Sequence, residues 1–576
     1  MYNITMKQRR KYLLIVFSAL AITIVSLIPF YSESIFNSQD LSFHLSRIDG
    51  VLTCLQDRQF PFAIYPFKNN GYGYGSPLFY CDIFLVLPAL LYRIGFSLIE
   101  AYKIFIFVSC FLGTTIFMYT CLYITNNKTS SFIATILWSL SSYRIIDIFI
   151  RAAVGEILAL NFLPLFILSV YKLFVEQKNC YLLLGITFSL LLFSHNITFV
   201  LSVITFALIC LINANCIIKN PNILKVTIKG AILSICLCSF YIFPMMEQMA
   251  SQEFIMNSSL GKMLENGFEL KRLFSDFIFQ NINGQISHPL QFIFVLGIIP
   301  TLFLPLVFFI RAKHTILIDF AKKITIVCMI LILFSTDLTV LPELKIFSFM
   351  QFPWRVFTIV VTISPIVFAV IMKHIPNKSV FCTLVSVIFV FCIANVSNVF
   401  NVIINSDDVI PNKESYSAIF HEQKYNPYVK NVFYNMVELG GGEYLPNTHE
   451  FNYKDMGQCI SFQNYEPAIC DYYRQGTTII FKYNYSYEER VLAPLSYYKG
   501  YKTYEVDHNL NIIREINIAP DAYSKRVSFI AEKGEHLYLI KYEGTNIQKI
   551  SLFVSLIGLA YIMIYMFKNV LKSNSQ

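Results

Sequence analysis

Residues 37–77 read NSQDLSFHLSRIDGVLTCLQDRQFPFAIYPFKNNGYGYGSP and follow the first apolar run of the chain. Within them Leu41, Leu45, Ile48, Leu52 and Leu55 recur at helical spacing and form one apolar stripe. Asp40, His44 and Arg47, at i, i+4 and i+7, share another face of the same helix. Asn37 or Ser38 stands where a cap is needed, and Asp40 falls in the first turn, where the helix dipole favours a carboxylate. The pattern predicts a helix lying on a membrane surface, apolar side down, with an acid, an imidazole and a guanidinium aimed together. Ordinary solvated charges on an interfacial helix would show the same spacing, so the rest of the chain must decide between the two.

Of the 576 residues 56% are hydrophobic and 14% charged, against about a quarter charged in a soluble globular chain. The composition is that of a polytopic α-helical membrane protein. The net charge of +9 is no nucleic-acid signal, because the basic residues lie mostly in short loops between apolar runs and report orientation. Most of the fourteen cysteines sit inside apolar runs as small hydrophobes. There is no CxxC and no Cys/His zinc spacing, so no metal site is predicted. Cys459 and Cys470 are the one pair in the polar C-terminal region, where a disulfide is compatible with the sequence without being required by it. No Walker loop and no GxGxxG opens a βα unit, so no nucleotide cofactor is expected.

Lysine and arginine mark the cytoplasmic ends of spanning helices. Lys7, Arg9, Arg10 and Lys11 therefore place the N-terminus inside and the 31–77 loop outside, and the apolar run to Phe30 is the first span rather than a cleaved signal. Lys568 and Lys572 place the C-terminus inside, which leaves the polar region 404–547 external. The same reading sets Arg151 and Glu156 on the outer face and gives about twelve crossings. One conflict remains. Three apolar segments, 78–97, 101–124 and 131–149, lie where an even number of crossings is required, and the last is the expected exception. Segment 180–213 is too long for one helix and is split at Ser194-His195-Asn196. Region 404–547 is Tyr-rich, with alternating runs such as TTIIFKYNY, YKTYEV, RVSFIA and HLYLIKY that predict a small β-sandwich-like domain. The organisation expected is a membrane domain over 1–403, an external β domain over 404–547, and a last transmembrane helix with a cytoplasmic tail over 548–576.

The topology gathers Asp40, His44 and Arg47, then Arg151 and Glu156, then His195 and Asn196, then Arg355, at one face. Glu156, His195 and Arg355 stand beside or within apolar runs, where ionisable groups are costly. Each alone reads equally well as a dipole-satisfying acid, a buried hydrogen-bonded histidine and an interfacial anchor. Their convergence is what suggests chemistry. An outer-face carboxylate can take the proton of an acceptor hydroxyl, and arginines match a departing phosphate. A cavity at the lipid boundary suits an isoprenoid-tailed donor.

The order DLSFHLSRIDGVL (40–52), GYGYGSPLFY (71–80), RAAVGEILALNFLPL (151–165), SHN (194–196) and QFPWR (351–355) resembles the membrane glycosyltransferases of the GT-C type. More narrowly, it resembles the branch also described as pterin-synthase-related membrane proteins. APLSYYKGYKTYEV (493–506) is similar to a strand in the external β domain of such proteins, with Lys499 and Tyr501 in place of the commoner Pro and Trp. The resemblance implies a polyprenyl-phosphate sugar as donor and an envelope glycan or lipid-linked molecule as acceptor. It implies Asp40 as base and Glu156 as a second acid, with Arg151 or Arg355 on the lipid phosphate and His44, Arg47, His195 and Asn196 lining the substrate site. No cofactor is implied, and the first acid is a lone Asp where several GT-C families carry a pair, which leaves a metal requirement open. The alternatives are a flippase for lipid-linked oligosaccharides, which the scarcity of mid-membrane charge disfavours, and an O-antigen polymerase, for which loop 246–289 is poor in arginine.

Overall fold

A computed structural model describes residues 6–69, 71–259, 267–281, 284–310, 315–339, 345–375, 377–414, 439–448, 459–463, 469 and 471–574. The chain opens with helix α1 (Met6–Ser26) and a short strand β1 (Ser34–Phe36), followed by α2 (Leu41–Gln56), α3 (Val86–Arg93), α4 (Leu98–Thr125) and α5 (Lys128–Ser139). Next come α6 (Ser142–Ile145), which runs into a π turn over Ile146–Arg151, and α7 (Val154–Phe174). Helices α8 (Tyr181–Ser194), α9 (Asn196–Ile212), α10 (Ala214–Lys219), α11 (Asn222–Ser251), α12 (Ile255–Ser259), α13 (Phe277–Gln280), α14 (Ile298–Leu306), α15 (Ile316–Ser335), α16 (Phe357–Lys373) and α17 (Lys378–Ile404) complete the helical body. Strands β2 (Val409–Pro411), β3 (Ser461–Phe462), β4 (Tyr473–Gln475), β5 (Thr478–Tyr485), β6 (Glu489–Ser496), β7 (Tyr501–Val506), β8 (Ile512–Ile516), β9 (Ala519–Pro520), β10 (Arg526–Ala531) and β11 (Gly534–Tyr542) follow, and α18 (Asn546–Asn574) closes the chain.

The protein is a helical membrane protein with a β domain. Among the described residues six helices are long and apolar enough to span a bilayer: α4, α7, α11, α16 with the turn before it, α17 and α18. A seventh appears if α5 and Ser142–Arg151, bent by 45° at their junction, are counted as one. This falls short of the twelve expected crossings. Apolar runs overcount, because a run does not show where the helix within it breaks. The 180–213 run breaks at His195, where it was predicted to, leaving pieces of 14 and 17 residues. Of the three segments in conflict, the first forms a helix only over Ile83–Arg93, too short to cross, while the third is the bent pair.

The β domain is a sandwich of a four-stranded sheet, in the order β3-β6-β10-β9, and a five-stranded sheet, in the order β4-β5-β11-β7-β8. Alternation decides which side chains face inward. In β5 (Thr478–Tyr485) the buried residues are Ile479, Phe481 and Tyr483; they meet Val491 of β6 (Glu489–Ser496), Phe529 of β10 (Arg526–Ala531) and Tyr538 of β11 (Gly534–Tyr542) in one core. The predicted strands are all present. Cys459 is disulfide-bonded; Cys470, the partner suggested by the sequence, lies outside the described residues.

The 493–506 stretch lies at the seam between sandwich and helices. Gln248 of α11 donates to the Lys499 carbonyl (2.6 Å) and accepts from its N–H (3.0 Å), and Gln252 donates to the Tyr497 carbonyl (2.8 Å). Gly500, at φ 125°, lies against the Tyr542 ring, a backbone conformation and an approach that a Cβ would both oppose. A second tie is β1 with β2 (Val409–Pro411), an antiparallel pair that joins the first loop to the end of α17.

Helix α2 is not a surface helix. Leu41, Leu45 and Ile48 are fully buried in the main core, and His44 and Arg47 on its polar face are buried too. Amphipathicity reports that a helix has two faces, not that water or lipid covers the polar one. Neither predicted cap is used. Asp40 itself occupies the cap position with no side-chain cap bond, Ser38 donates to the Phe149 carbonyl (2.6 Å), and Asn37 bonds Asp408 (3.2 Å).

Candidate functional site

The site is assembled at the end of the 142–151 segment. Its last six residues form a π turn, which ends in Ala152 at φ 55°, a left-handed conformation that costs a non-glycine residue on the order of 1 kcal/mol. A helix end leaves its last carbonyls without intrahelical partners. The first loop supplies them. Ser38 Oγ donates to Phe149 O (2.6 Å), Gln39 N to Ile150 O (3.1 Å) and Asp40 N to Arg151 O (2.7 Å). Three successive donors therefore bind three successive orphan acceptors, and this fixes Asp40 beside Arg151.

Arg151 is the hub. Its Nη1 donates to Glu156 (2.6 Å) and to Asp147 (3.0 Å), and its Nη2 lies 3.8 Å from Asp40. Glu156, in the first turn of α7, also accepts from the Tyr143 hydroxyl. The guanidinium stands over Trp354 at 5.1 Å and Phe294 at 5.5 Å, two rings that are themselves stacked 4.0 Å apart. Asp147 and Glu156 are buried, whereas the Asp40 side chain is 43% exposed and is the carboxylate of this group that a ligand can reach. Burial among these groups raises the Asp40 carboxyl above its ordinary 3.8, Arg151 and Arg355 pull it back, and Glu156 adds to the rise.

Arg355 is 6% exposed. Its Nη1 donates to the Met350 carbonyl (3.2 Å) and its plane lies over Phe352, yet it makes no ion pair among the described residues and its buried Nε has no hydrogen-bond partner. A guanidinium held this way is costly unless an anion joins it.

A second network lies behind the first. Arg47 donates to Asp82 through Nε (2.9 Å) and Nη2, and Tyr65 donates to the same carboxylate. Nη1 of Arg47 is 3.1 Å from Nδ1 of His44; the guanidinium can only donate, so His44 accepts there and a neutral ring carries its proton on Nε2. Burial, with Arg47 and Arg151 nearby, holds that imidazole well below its ordinary value. Arg47 is thus committed to Asp82 rather than free for a substrate.

Between the networks stands Tyr80. Arg47 stacks on its ring at 3.9 Å, and the His44 and His195 rings are 6.4 and 6.3 Å away. A Cβ on Gly155 would collide with the Tyr80 hydroxyl and come within 2.6 Å of the Ser194 carbonyl. Gly155 is the residue that lets this loop meet the start of α7. Gly155→Ala is expected to displace Tyr80 and lower stability by about 1–3 kcal/mol, read as a lower Tm in detergent; an unchanged Tm with full activity would contradict the packing.

His195 caps α9, its Nδ1 2.8 Å from Thr198 Oγ1, and is partly exposed beside Tyr80. Asn196 turns away: its amide donates to Phe79 O (3.0 Å) and accepts from Tyr241 (2.9 Å). Of the sequence candidates, then, Asp40, Arg151, Glu156, Arg355, His44 and His195 are gathered, while Arg47 and Asn196 are taken by internal partners.

Sequence reasoning passed over Tyr80, Tyr143 and Glu443. Glu443 belongs to the segment between α17 and the sandwich, behind three glycines (440–442) that all have positive φ. That segment covers α2, with Gly440 on the Phe43 ring and Leu439 O accepting from Tyr74 (2.9 Å). Burial raises the Glu443 carboxyl, Arg355 lowers it and Asp40 raises it further, so an acid from the β-domain side is felt electrostatically by the same cluster. The run of glycines was the available signal. Among the described residues no three His, Cys, Asp or Glu side chains are grouped as a metal site.

The family described as 6-pyruvoyl-tetrahydropterin synthase related domain, a membrane protein family, matches residues 79–403, more than half of the chain. The chain belongs to that family. Its match takes in Tyr80, Asp82, Arg151, Glu156, His195 and Arg355, and stops short of Asp40 and of the sandwich. An uncharacterized protein of Lactococcus lactis subsp. cremoris (strain MG1363) is 24% identical over 253 residues, 42% of this chain and 40% of its own length. The match thus spans about two fifths of that relative.

Proposed function

We propose that this member of the family is an inverting glycosyltransferase of the GT-C type. It moves a sugar from a polyprenyl phosphate to an envelope glycan or lipid-linked acceptor at the outer face of the cytoplasmic membrane. The observation that carries the reading is an open carboxylate in the same cluster as a buried guanidinium: Asp40, 43% exposed, and Arg355, which makes no ion pair among the described residues. In the reaction an acceptor hydroxyl oxygen bonds to the anomeric carbon, the bond from that carbon to the phosphate oxygen breaks, and the hydroxyl proton passes to Asp40. The electron pair leaves with the polyprenyl phosphate, whose growing charge Arg355 meets with donors it has not committed elsewhere. Arg151 is already shared by Asp147 and Glu156, so its part is to hold the acids and, through its backbone carbonyl, Asp40.

The test is turnover. Purified protein in proteoliposomes, given polyprenyl-phosphate hexoses and pentoses with a membrane glycan extract, is expected to release polyprenyl phosphate. Arg355→Gln is expected to lower kcat/KM for the donor roughly 10–150-fold, the loss of one charge-assisted contact. Unchanged donor kinetics in that variant would remove Arg355 from the phosphate site.

A further inference from the structure

A cavity of about 330 Å³ opens on the opposite side of the Arg47–Asp82 pair, where the first loop meets the sandwich-side ends of α11 and α18. Its apolar walls include Phe62, Phe240 and Leu552, the last two from helices of spanning length, and Phe60 is 57% exposed at its edge. Two cations line it, Arg58 at the end of the first loop's helix and Lys549 at the start of α18. Among the described residues neither has an ion pair or a side-chain hydrogen bond. Its two acids are already matched. Asp82 is held by Arg47 and Tyr65, and Glu543 lies 2.7 Å from Lys541. The cavity therefore has apolar walls and two uncompensated positive charges, and it lies at the ends of α11 and α18, two helices long enough to span a bilayer. Asp82, Arg47 and Tyr80 stand between it and Asp40, so its occupant is not one of the reacting molecules.

We propose that this cleft binds one anionic phospholipid, chain against Phe62, Phe240 and Leu552, phosphate between Arg58 and Lys549, bracing the first loop against α18. The inference does not depend on the transferase reading. Two cations at a lipid headgroup favour an anionic over a zwitterionic lipid by on the order of tenfold. The test places a reporter in the wall with Leu552→Trp, in full-length protein in nanodiscs, and measures its quenching by brominated phosphatidylglycerol and by brominated phosphatidylcholine. The parent protein, whose Trp138 and Trp354 are buried, gives the background. Expected is half-maximal quenching at roughly tenfold lower mole fraction of phosphatidylglycerol, with the preference abolished by adding Arg58→Gln and Lys549→Gln. Equal quenching by the two lipids, or a preference that survives the double substitution, overturns the proposal. So does competition by soluble glycerol phosphate at the same concentration, which would assign the cations to a free phosphate. If Leu552→Trp lowers the protein yield, retention of phosphatidylglycerol by the otherwise native chain in native mass spectrometry, with and without the two Gln substitutions, decides in the same way.

Discussion

Asp40→Asn is expected to reduce sugar transfer roughly 10²–10⁴-fold, the loss that follows removal of a general base, while insertion, yield and Tm stay at the parent values. The two halves of this expectation rest on separate observations. The Asp40 side chain makes no cap bond and approaches Arg151 only to 3.8 Å, so an amide in its place breaks little. What holds the residue is its backbone N–H on the Arg151 carbonyl, which the substitution keeps. The catalytic half rests on this carboxylate being the open one in a group whose other acids, Asp147 and Glu156, are buried against Arg151. Transfer at more than a tenth of the parent rate would dismiss Asp40 as the base.

Arg47→Met is expected to lower stability by about 3–5 kcal/mol, the cost of stranding one member of a buried ion pair. Asp82 and Arg47 are both fully enclosed, and Arg47 also supports His44 and the Tyr80 ring. Adding Asp82→Leu is expected to recover at least half of that loss, because it removes the uncompensated carboxylate even though Tyr65 then loses its acceptor. Thermal melts of the two variants in detergent are the measurement. A single variant as stable as the parent would contradict a structural role for Arg47 and return it to the substrate-binding set.

Much of this architecture is legible in residue order alone, and the misreadings share a cause. Alternation of apolar side chains predicts β5, β7, β10 and β11, because a strand's period is indifferent to what lies across the sheet. The break at His195 is visible because Ser194-His195-Asn196 interrupts an apolar run. The placement of α2 on a surface fails because its polar face is covered by residues far along the chain: Asp82, Tyr80 and the 439–446 segment. Arg47 reads as a free cation for the same reason, its partner being 35 positions away. The count of twelve crossings fails because composition does not reveal a 45° bend or a span cut into two short helices. Glu443 was hidden by its setting, a glycine-rich segment of the β region whose approach to Arg355 and Asp40 depends on the docking of the sandwich. The gathering of Asp40 with Arg151, Glu156 and Arg355 was suggested by charges on one face. Its physical agent, orphan carbonyls of a π turn bound by the 38–40 backbone and Ser38 hydroxyl, has no sequence signature of its own.

The central claim is that a phosphate anion belongs at Arg355 with Asp40 across the reacting bond. Electron cryo-microscopy of the protein in nanodiscs with a non-transferable polyprenyl-phosphate sugar tests it most directly. The account predicts the phosphate within hydrogen-bond reach of the Arg355 guanidinium and the anomeric carbon turned toward the Asp40 carboxylate. A phosphate seated elsewhere, or an Asp40 side chain facing away from the bound sugar, would contradict it.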